Sequence, residues 1–339
     1  MMKKNVVISI LAVLLLLFVF LAFGAFGSLS GKKECLIFIH RNSTLDDVYE
    51  QIDKASKAPQ RSTFHMMARL SGYASNIQPG CYDIGSGTST IMVLRRLATG
   101  RQTPRKLTIP CLRTAENLAD FLGEQLEMHA DSFYKVLTDS TILAEYGLEK
   151  ATSVCLFIPN TYEVYWTITP KHLMNRMKRE SNAFWTSERC AKLLNIIPGF
   201  TKTDAITLAS IVEQETQYQP ERAMVAGMYI NRLRRNMPLQ ADPTVKFALQ
   251  DFTLRRILHE HLQYESPYNT YKNTGLPPGP ICIPSISSID AVLNFAHHNY
   301  IYMCAKEDFS GAHNFAADYS THLANARKYA TALDNRGIH

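Results

Sequence analysis

The chain has 339 residues, of which 46% are apolar and 19% charged, and it carries a formal net charge of +6 at pH 7. It is too long for one ordinary core and is expected to form two subdomains. Its lysines and arginines are scattered rather than gathered into a stripe, which argues against a nucleic-acid partner, although a mild positive charge suits an anionic cell-envelope polymer.

The first segment to read is the N-terminus. Lys3 and Lys4 precede an uncharged apolar run from Val6 to Gly27 in which Ser9 is the polar residue. About 20 apolar residues span a bilayer core, whereas the apolar part of a cleaved signal is roughly 7–15 residues long. Residues 5–27 are therefore expected to be a transmembrane signal anchor, with residues 1–4 in the cytoplasm. Ala22-Phe23-Gly24 and Ala25-Phe26-Gly27 leave cleavage open. Lys3 and Lys4 favour an inside N-terminus, and Lys32 and Lys33 partly cancel that bias. The chain is thus read as a single-pass protein of the inner (cytoplasmic) membrane with its body in the periplasm.

After the anchor, a short β-rich run ending in a Ser/Thr turn and followed by an amphipathic helix recurs. Cys35–His40 leads through Ser43 and Thr44 to a helix with Val48, Tyr49 and Ile52. Gly80–Ile84 leads through Ser89 and Thr90 to a helix stopped by Gly100. Lys106–Ile109 leads through Thr114 to a helix with Leu118, Phe121 and Leu122. Phe157–Val164 leads through Thr167, Thr169 and Pro170 to Leu173 and Met177. Ser and Thr are natural N-caps there, and Pro suits a first helical turn. These units imply an α+β module over residues 35–185, with a second domain over 186–339.

The second domain opens on a helix at Arg189–Asn195 and then carries two glutamates in an apolar helix, Asp204–Gln217. Glu213 shares a face with Ile206, Ala209 and Ser210, while Glu215 lies opposite with Leu208, Ile211 and Val212. A helix apolar nearly all round is buried, and buried carboxyls have either a partner or a task. Desolvation raises a carboxyl pKa and lets it act as a general acid. The plain alternative is a structural acid paired with Arg222 or Arg232. A helix from Pro220 to Asn236 follows, with Asn231 on its apolar face, then a helix at Thr244–Leu249. The loop Tyr268-Asn-Thr-Tyr-Lys-Asn-Thr-Gly-Leu-Pro-Pro-Gly-Pro280 offers the flat rings and amides that sugars bind, stiffened by prolines. Asp290–His297 reads as helix, Tyr300–Ala305 and Ala312–Phe315 as strands, and Tyr319–Leu333 as the last helix. A GxSxG elbow, HExxH, P-loop and GxGxxG are all missing; His259-Glu-His261, His297, His298 and His313 read better as structural than as metal ligands. The seven cysteines, without CxxC spacing, provide no metal site and no readable disulfide framework, although an oxidising compartment would permit a bridge or two.

Leu208-Ala-Ser-Ile-Val-Glu-Gln-Glu-Thr216, Glu221-Arg222, Val225-Ala-Gly-Met-Tyr-Ile-Asn-Arg-Leu233, Met237-Pro-Leu-Gln-Ala-Asp-Pro-Thr-Val245, Tyr268-Asn-Thr-Tyr271 and Gly275-Leu-Pro-Pro-Gly-Pro-Ile281 together resemble the YceG-like family of MltG-type endolytic murein transglycosylases. The N-terminal part resembles that family's LysM-like module, with Pro159-Asn-Thr-Tyr162 where the family has Pro-Asp-Thr-Tyr. The resemblance implies an α+β fold with an N-terminal transmembrane helix, a LysM-like module and a YceG-like catalytic domain. It also implies lytic cleavage of peptidoglycan glycan strands to 1,6-anhydro-N-acetylmuramoyl ends, with synthases as partners. By position in the motif, Glu213 is the catalytic acid and Glu215 the second choice. Glu215, Asn231, Gln240 and Asp242 are positioning groups; Tyr268, Asn269 and Tyr271 line the sugar cleft; His313 belongs to a Gly-His-x-Phe-like element in which Ala312 replaces a glycine. Cys111-Leu112 after Pro110 stands where the family has Glu-Gly. The chemistry needs one carboxyl and no metal or cofactor, because the sugar's own C6 hydroxyl replaces the second carboxylate of an ordinary glycosidase. Two rivals stay open: a non-catalytic peptidoglycan-binding scaffold, and a hydrolytic muramidase using Asp242.

Overall fold

The computed structural model describes residues 2–254 and 256–336, with side chains described from Val6 onward. The side chains of Lys3 and Lys4, on which the orientation reading rests, lie outside the described ones. In chain order the elements are α1 (Met2–Phe26), β1 (Leu36–Ile39), α2 (Leu45–Ala55), α3 (Gln60–Leu70), β2 (Gly80–Asp83), α4 (Thr90–Thr99), β3 (Arg105–Thr108), α5 (Ala115–Gln125), α6 (Ala130–Thr138), α7 (Ser140–Ala144), β4 (Thr161–Val164), α8 (Pro170–Phe184), α9 (Ser187–Leu193), α10 (Lys202–Glu215), α11 (Arg222–Arg234), α12 (Asp242–Leu249), α13 (His259–Leu262), α14 (Ile286–Leu293), β5 (Tyr302–Ala305), β6 (His313–Ala316) and α15 (Tyr319–Asp334). The protein is α+β, with three two-stranded sheets among the described residues, β1–β2, β3–β4 and β5–β6.

The chain divides into two compact units. The first comprises Met1–Leu107, Gln125–Met128 and Tyr162–Thr169. Within α1, Val6–Phe26 has a mean hydropathy of 3.3 over 21 residues, long and apolar enough to cross a membrane. Its last turn brings Gly24 against Thr63 of α3. β1 pairs antiparallel with β2, from Leu36 opposite Asp83 to Ile39 opposite Gly80. Alternation sends Ile37 and Ile39 into a core with Val48, Ile52, Phe64, Val93 and Leu97, while Trp166 packs edge-on against Phe38 at 5.1 Å. The Thr44 cap forms as its sequence implies: its side chain accepts from Asp47 N, and Asp47 accepts from Thr44 N at 2.7 Å. Helix α3 is the element the sequence hid. It buries Gln60, Thr63, Phe64 and Ala68, a stripe half polar, so hydrophobic periodicity does not reveal it.

The second unit comprises Thr108–Glu124, His129–Thr161 and Pro170–His339. Residues 108–161, grouped by sequence with the N-terminal module, thus fall mostly here: Ile283 N donates to Leu112 O at 2.8 Å. Helix α10 is the unit's axis. Ala205 through Val212 are buried without a break, and the helix packs against α9, α11, α12 and α14. An apolar surface all round requires neighbours all round. The helix starts where a capping box forms between Thr201 and Asp204. Helix α14 begins at Ile286 rather than Asp290, because Ser285 caps it by accepting from Ser288 N at 3.3 Å. β5 and β6 pair antiparallel, with Ala305 opposite His313, and α15 packs on that hairpin.

Candidate active site

The two glutamates of α10 lie in opposite environments. Glu213 is held in a closed ion pair. Arg222 of α11 grips it through two parallel bonds, Nη2 to Oε1 at 3.0 Å and Nη1 to Oε2 at 3.2 Å. Oε2 also accepts from Ser285 N at 3.1 Å, from Ser288 Oγ at 2.6 Å and from the Ser285 hydroxyl. Arg222 is 4% exposed and Glu213 13%. Burial alone would push the Glu213 pKa up, but the serine hydrogen bonds and the guanidinium outweigh it and hold the carboxyl below its ordinary value. Such a group stays ionised near neutral pH.

Glu215, two residues on, faces a polar cavity of about 250 Å³ lined by Met228, Tyr229, Arg232, Leu239, Gln240, Asp242, Tyr271, Met303, Cys304, Ala305 and His313. Its Oε2 is buried and has no hydrogen-bond partner among the described residues. Desolvation, reinforced by the negative Asp242, pushes its pKa up to about 7; a hydrogen bond from Tyr229 and the Arg232 charge oppose the rise. Arg232 does not neutralise it directly, because its guanidinium donates to the carbonyls of Ile301, Pro238 and Leu239 and to Gln240 Oε1.

The cavity walls are built to hold shape. The Tyr271 hydroxyl donates to Asp242 Oδ1 at 2.6 Å. Gln240 adopts φ 51°, an uncommon backbone for a non-glycine residue, with its N–H donating to Thr270 O at 3.0 Å. The buried hydroxyls of Thr244 and Thr270 sit 2.8 Å apart, tying the tyrosine-rich loop to α12. His313, opposite Ala305 in the hairpin, is oriented by Glu221: Nδ1 lies 2.6 Å from Oε1, and the His313 N–H donates to Oε2 at 2.8 Å.

Of the residues picked from sequence, Glu215, Gln240, Asp242, Tyr271 and His313 therefore meet around one cavity. Four lie elsewhere. Glu213 occupies the arginine–serine cradle. Asn231 donates to the carbonyls of His298 at 2.7 Å and Tyr300 at 3.0 Å, and so fastens the chain entering β5. Asn269 is fully buried and donates to the carbonyls of Leu262 and Tyr264. Tyr268 packs on Phe247 with ring centroids 4.7 Å apart. It helps line a larger cavity of about 520 Å³ with Arg113, Glu116, Tyr134 and Lys150. That larger space contains neither α10 glutamate, so size does not locate the chemistry. Sequence reasoning missed Tyr229 at the cavity, Glu221 behind His313, and Ser285 and Ser288 at Glu213. Ser285 could have been found as the N-cap of α14.

Comparison with known proteins gives the family. The model of the YceG-like family matches residues 37–328. The chain belongs to that family. It is similar to the protein named endolytic murein transglycosylase in Bacillus subtilis (strain 168), at 26% identity over 88% of this chain and 86% of that one. It is also similar to the protein of the same name in Streptococcus pneumoniae serotype 2 (strain D39 / NCTC 7466), at 24% identity. That alignment covers 90% of this chain, which spans 60% of the pneumococcal protein's length. A crystal structure of a YceG-like protein from Listeria monocytogenes superposes with a TM-score of 0.57 at 25% identity, covering 86% of this YceG-like chain and 98% of that one.

Proposed function

We propose that this chain is an endolytic murein transglycosylase that cuts the β-1,4 bond between N-acetylmuramic acid and N-acetylglucosamine within nascent peptidoglycan strands, with Glu215 as its acid. The observation that carries this reading is Glu215, which lines a polar cavity shared with Asp242, Tyr271 and His313 and whose Oε2 is buried without a hydrogen-bond partner among the described residues. The names of the relatives support the substrate class. Glu213, first by motif position, gives way because its carboxylate is already saturated by Arg222, Ser285 and Ser288.

Glu215 enters the reaction protonated, which a pKa of about 7 permits near neutrality. Its proton passes to the glycosidic oxygen as that bond breaks and the muramoyl C1 becomes oxocarbenium-like. The resulting carboxylate then takes the proton of the sugar's C6 hydroxyl as O6 attacks C1. The product is a 1,6-anhydro end, and Glu215 is protonated again. Asp242 and Tyr271 hold one side of the sugar and His313 the other, with Tyr229 orienting the acid.

The remaining assignments are part of the same proposal. The first unit, with its β1–α2–α3–β2 arrangement, acts as a LysM-like glycan-binding module. The α1 span tethers the body to the cytoplasmic membrane on its periplasmic side, where cutting terminates glycan elongation beside the synthases. One observation favours a second reading: Asp242 shares the cavity with Glu215 and could activate water as in ordinary glycosidases. Digestion of un-cross-linked glycan strands, with Glu215→Gln and Glu213→Gln in parallel and mass spectrometry of the ends, separates the two. Anhydro ends lost only in a folded Glu215→Gln protein support the proposal. Reducing ends would establish the hydrolase, and no cleavage by wild type would leave a scaffold.

A further inference from the structure

Behind the glutamate helix, two sulfurs meet on one amide. Gln214 Nε2 lies 3.8 Å from Cys111 Sγ and 3.6 Å from Cys282 Sγ, so one amide group reaches both sulfurs. The backbones carrying them are joined next door, where Ile283 N donates to Leu112 O at 2.8 Å. Cys282 is further anchored to α10: its thiol faces Ser210 O at 3.7 Å, and Ile281 N donates to Ser210 Oγ at 3.0 Å. Arg113, adjacent to Cys111, donates to Gln214 Oε1 at 2.9 Å.

We propose that Cys111 and Cys282 are a redox-active pair that closes to an intramolecular disulfide, clamping the segment ahead of α5 to the loop that follows Pro280. The two cysteines are unlike in a way that orders the steps. Cys111 is exposed and Cys282 buried. The neighbouring Cys282 holds the Cys111 thiol below its ordinary pKa against partial burial and the Glu213 charge, with Arg113 and Arg222 assisting. The nearness of Cys111 and burial push Cys282 up. Cys111 is therefore the thiol that meets the oxidant.

The oxidant is an external disulfide, either a small molecule or a thiol oxidoreductase. Cys111 thiolate attacks one of its sulfurs, forming a mixed disulfide and releasing the first external thiol. Cys282, losing its proton, attacks Cys111 Sγ, forming the internal bond and releasing the second external thiol. Two electrons pass to the external disulfide, and the two protons leave with its thiols. The closed bond encloses the chain from α5 through α13 and stabilises the fold chiefly by restricting the unfolded chain.

This inference does not depend on glycan cleavage, because the test reads the bond itself. The full chain in detergent is incubated with oxidised glutathione or with dithiothreitol, alkylated, and mapped by mass spectrometry without reduction. The expected result is a linked Cys111–Cys282 peptide two hydrogens lighter than the sum of its parts. A thermal midpoint raised by about 5 °C should accompany it, reversed by dithiothreitol and absent in Cys111→Ser. Because Cys282 is buried, Cys282→Ser could fail to fold, and Cys111→Ser serves as the control that keeps the test valid. Both thiols alkylated after oxidant, or glutathione retained on Cys111 with Cys282 alkylated, would overturn the pair.

Discussion

The two sides of one helical turn solve opposite problems. On one side of α10, Glu213 is surrounded by donors and stays an anion; on the other, Glu215 is buried with an unpartnered oxygen and a negative neighbour in Asp242. Both carboxyls are removed from water, so burial by itself does not set the chemistry. The count and charge of the donors decide which carboxyl is held ionised and which is pushed toward its protonated form.

The largest expected break in that contrast is Glu215→Gln. Loss of a general acid lowers turnover by about 10²–10⁴-fold, read as anhydro-end formation. Above pH 7 the variant should nonetheless be more stable than wild type. The fold raises the Glu215 pKa from 4.5 to about 7, so its stabilising contribution is complete below pH 4.5 and lost as pH rises through 7. Ionised Glu215 then costs the fold about 3 kcal/mol, which Gln avoids. Equal thermal midpoints for the two proteins at pH 5 and at pH 8.5 would sink this account.

Glu213→Gln should do the reverse. It leaves the buried Arg222 charge without its anion, and breaking such a pair costs about 3–5 kcal/mol, read by denaturant unfolding. Its pH signature has the opposite sign: a carboxyl held below its ordinary pKa stabilises at neutral pH, and that stability is lost as pH falls through the folded value. Wild-type stability in a Glu213→Gln protein that no longer cuts glycan would return the catalytic role to Glu213.

The pH profile sharpens the comparison without touching the fold. The free enzyme must hold the Glu215 proton, so kcat/KM should fall tenfold per pH unit above about 7. Asp242→Asn removes the charge that raises this pKa and should move the falling limb to lower pH; an unmoved limb would mean that Asp242 does not sense Glu215. The smallest effect is expected at the rim. Glu221→Gln loosens His313 and should lower kcat/KM by roughly tenfold, the size of one charge-assisted hydrogen bond of about 1.5 kcal/mol. A Glu221→Gln enzyme as fast as wild type would make His313 a structural residue of the β5–β6 hairpin.

Much of this was legible in the sequence where chemistry is local. Thr44, Gly100 and Pro170 mark helix ends because caps and restricted backbone act within one turn. The membrane-spanning length of α1 and the all-round burial of α10 follow from composition and periodicity alone. Asn231 and Asn269 were misplaced because a polar residue in an apolar context can serve a substrate or a loop carbonyl equally well, and only its neighbours in space show which.

The sequence by itself therefore determined the long apolar N-terminal helix, the α+β order of elements, the family, and that two carboxyls sit on opposite faces of a buried helix. Tertiary structure decided what each carboxyl became. Arg222 lies nine residues from Glu213 and Ser285 seventy-two; Asp242, Tyr271 and His313 reach Glu215's cavity from three separate elements. A pKa depends on charge and solvent within a few ångströms, and spacing along the chain does not report those distances.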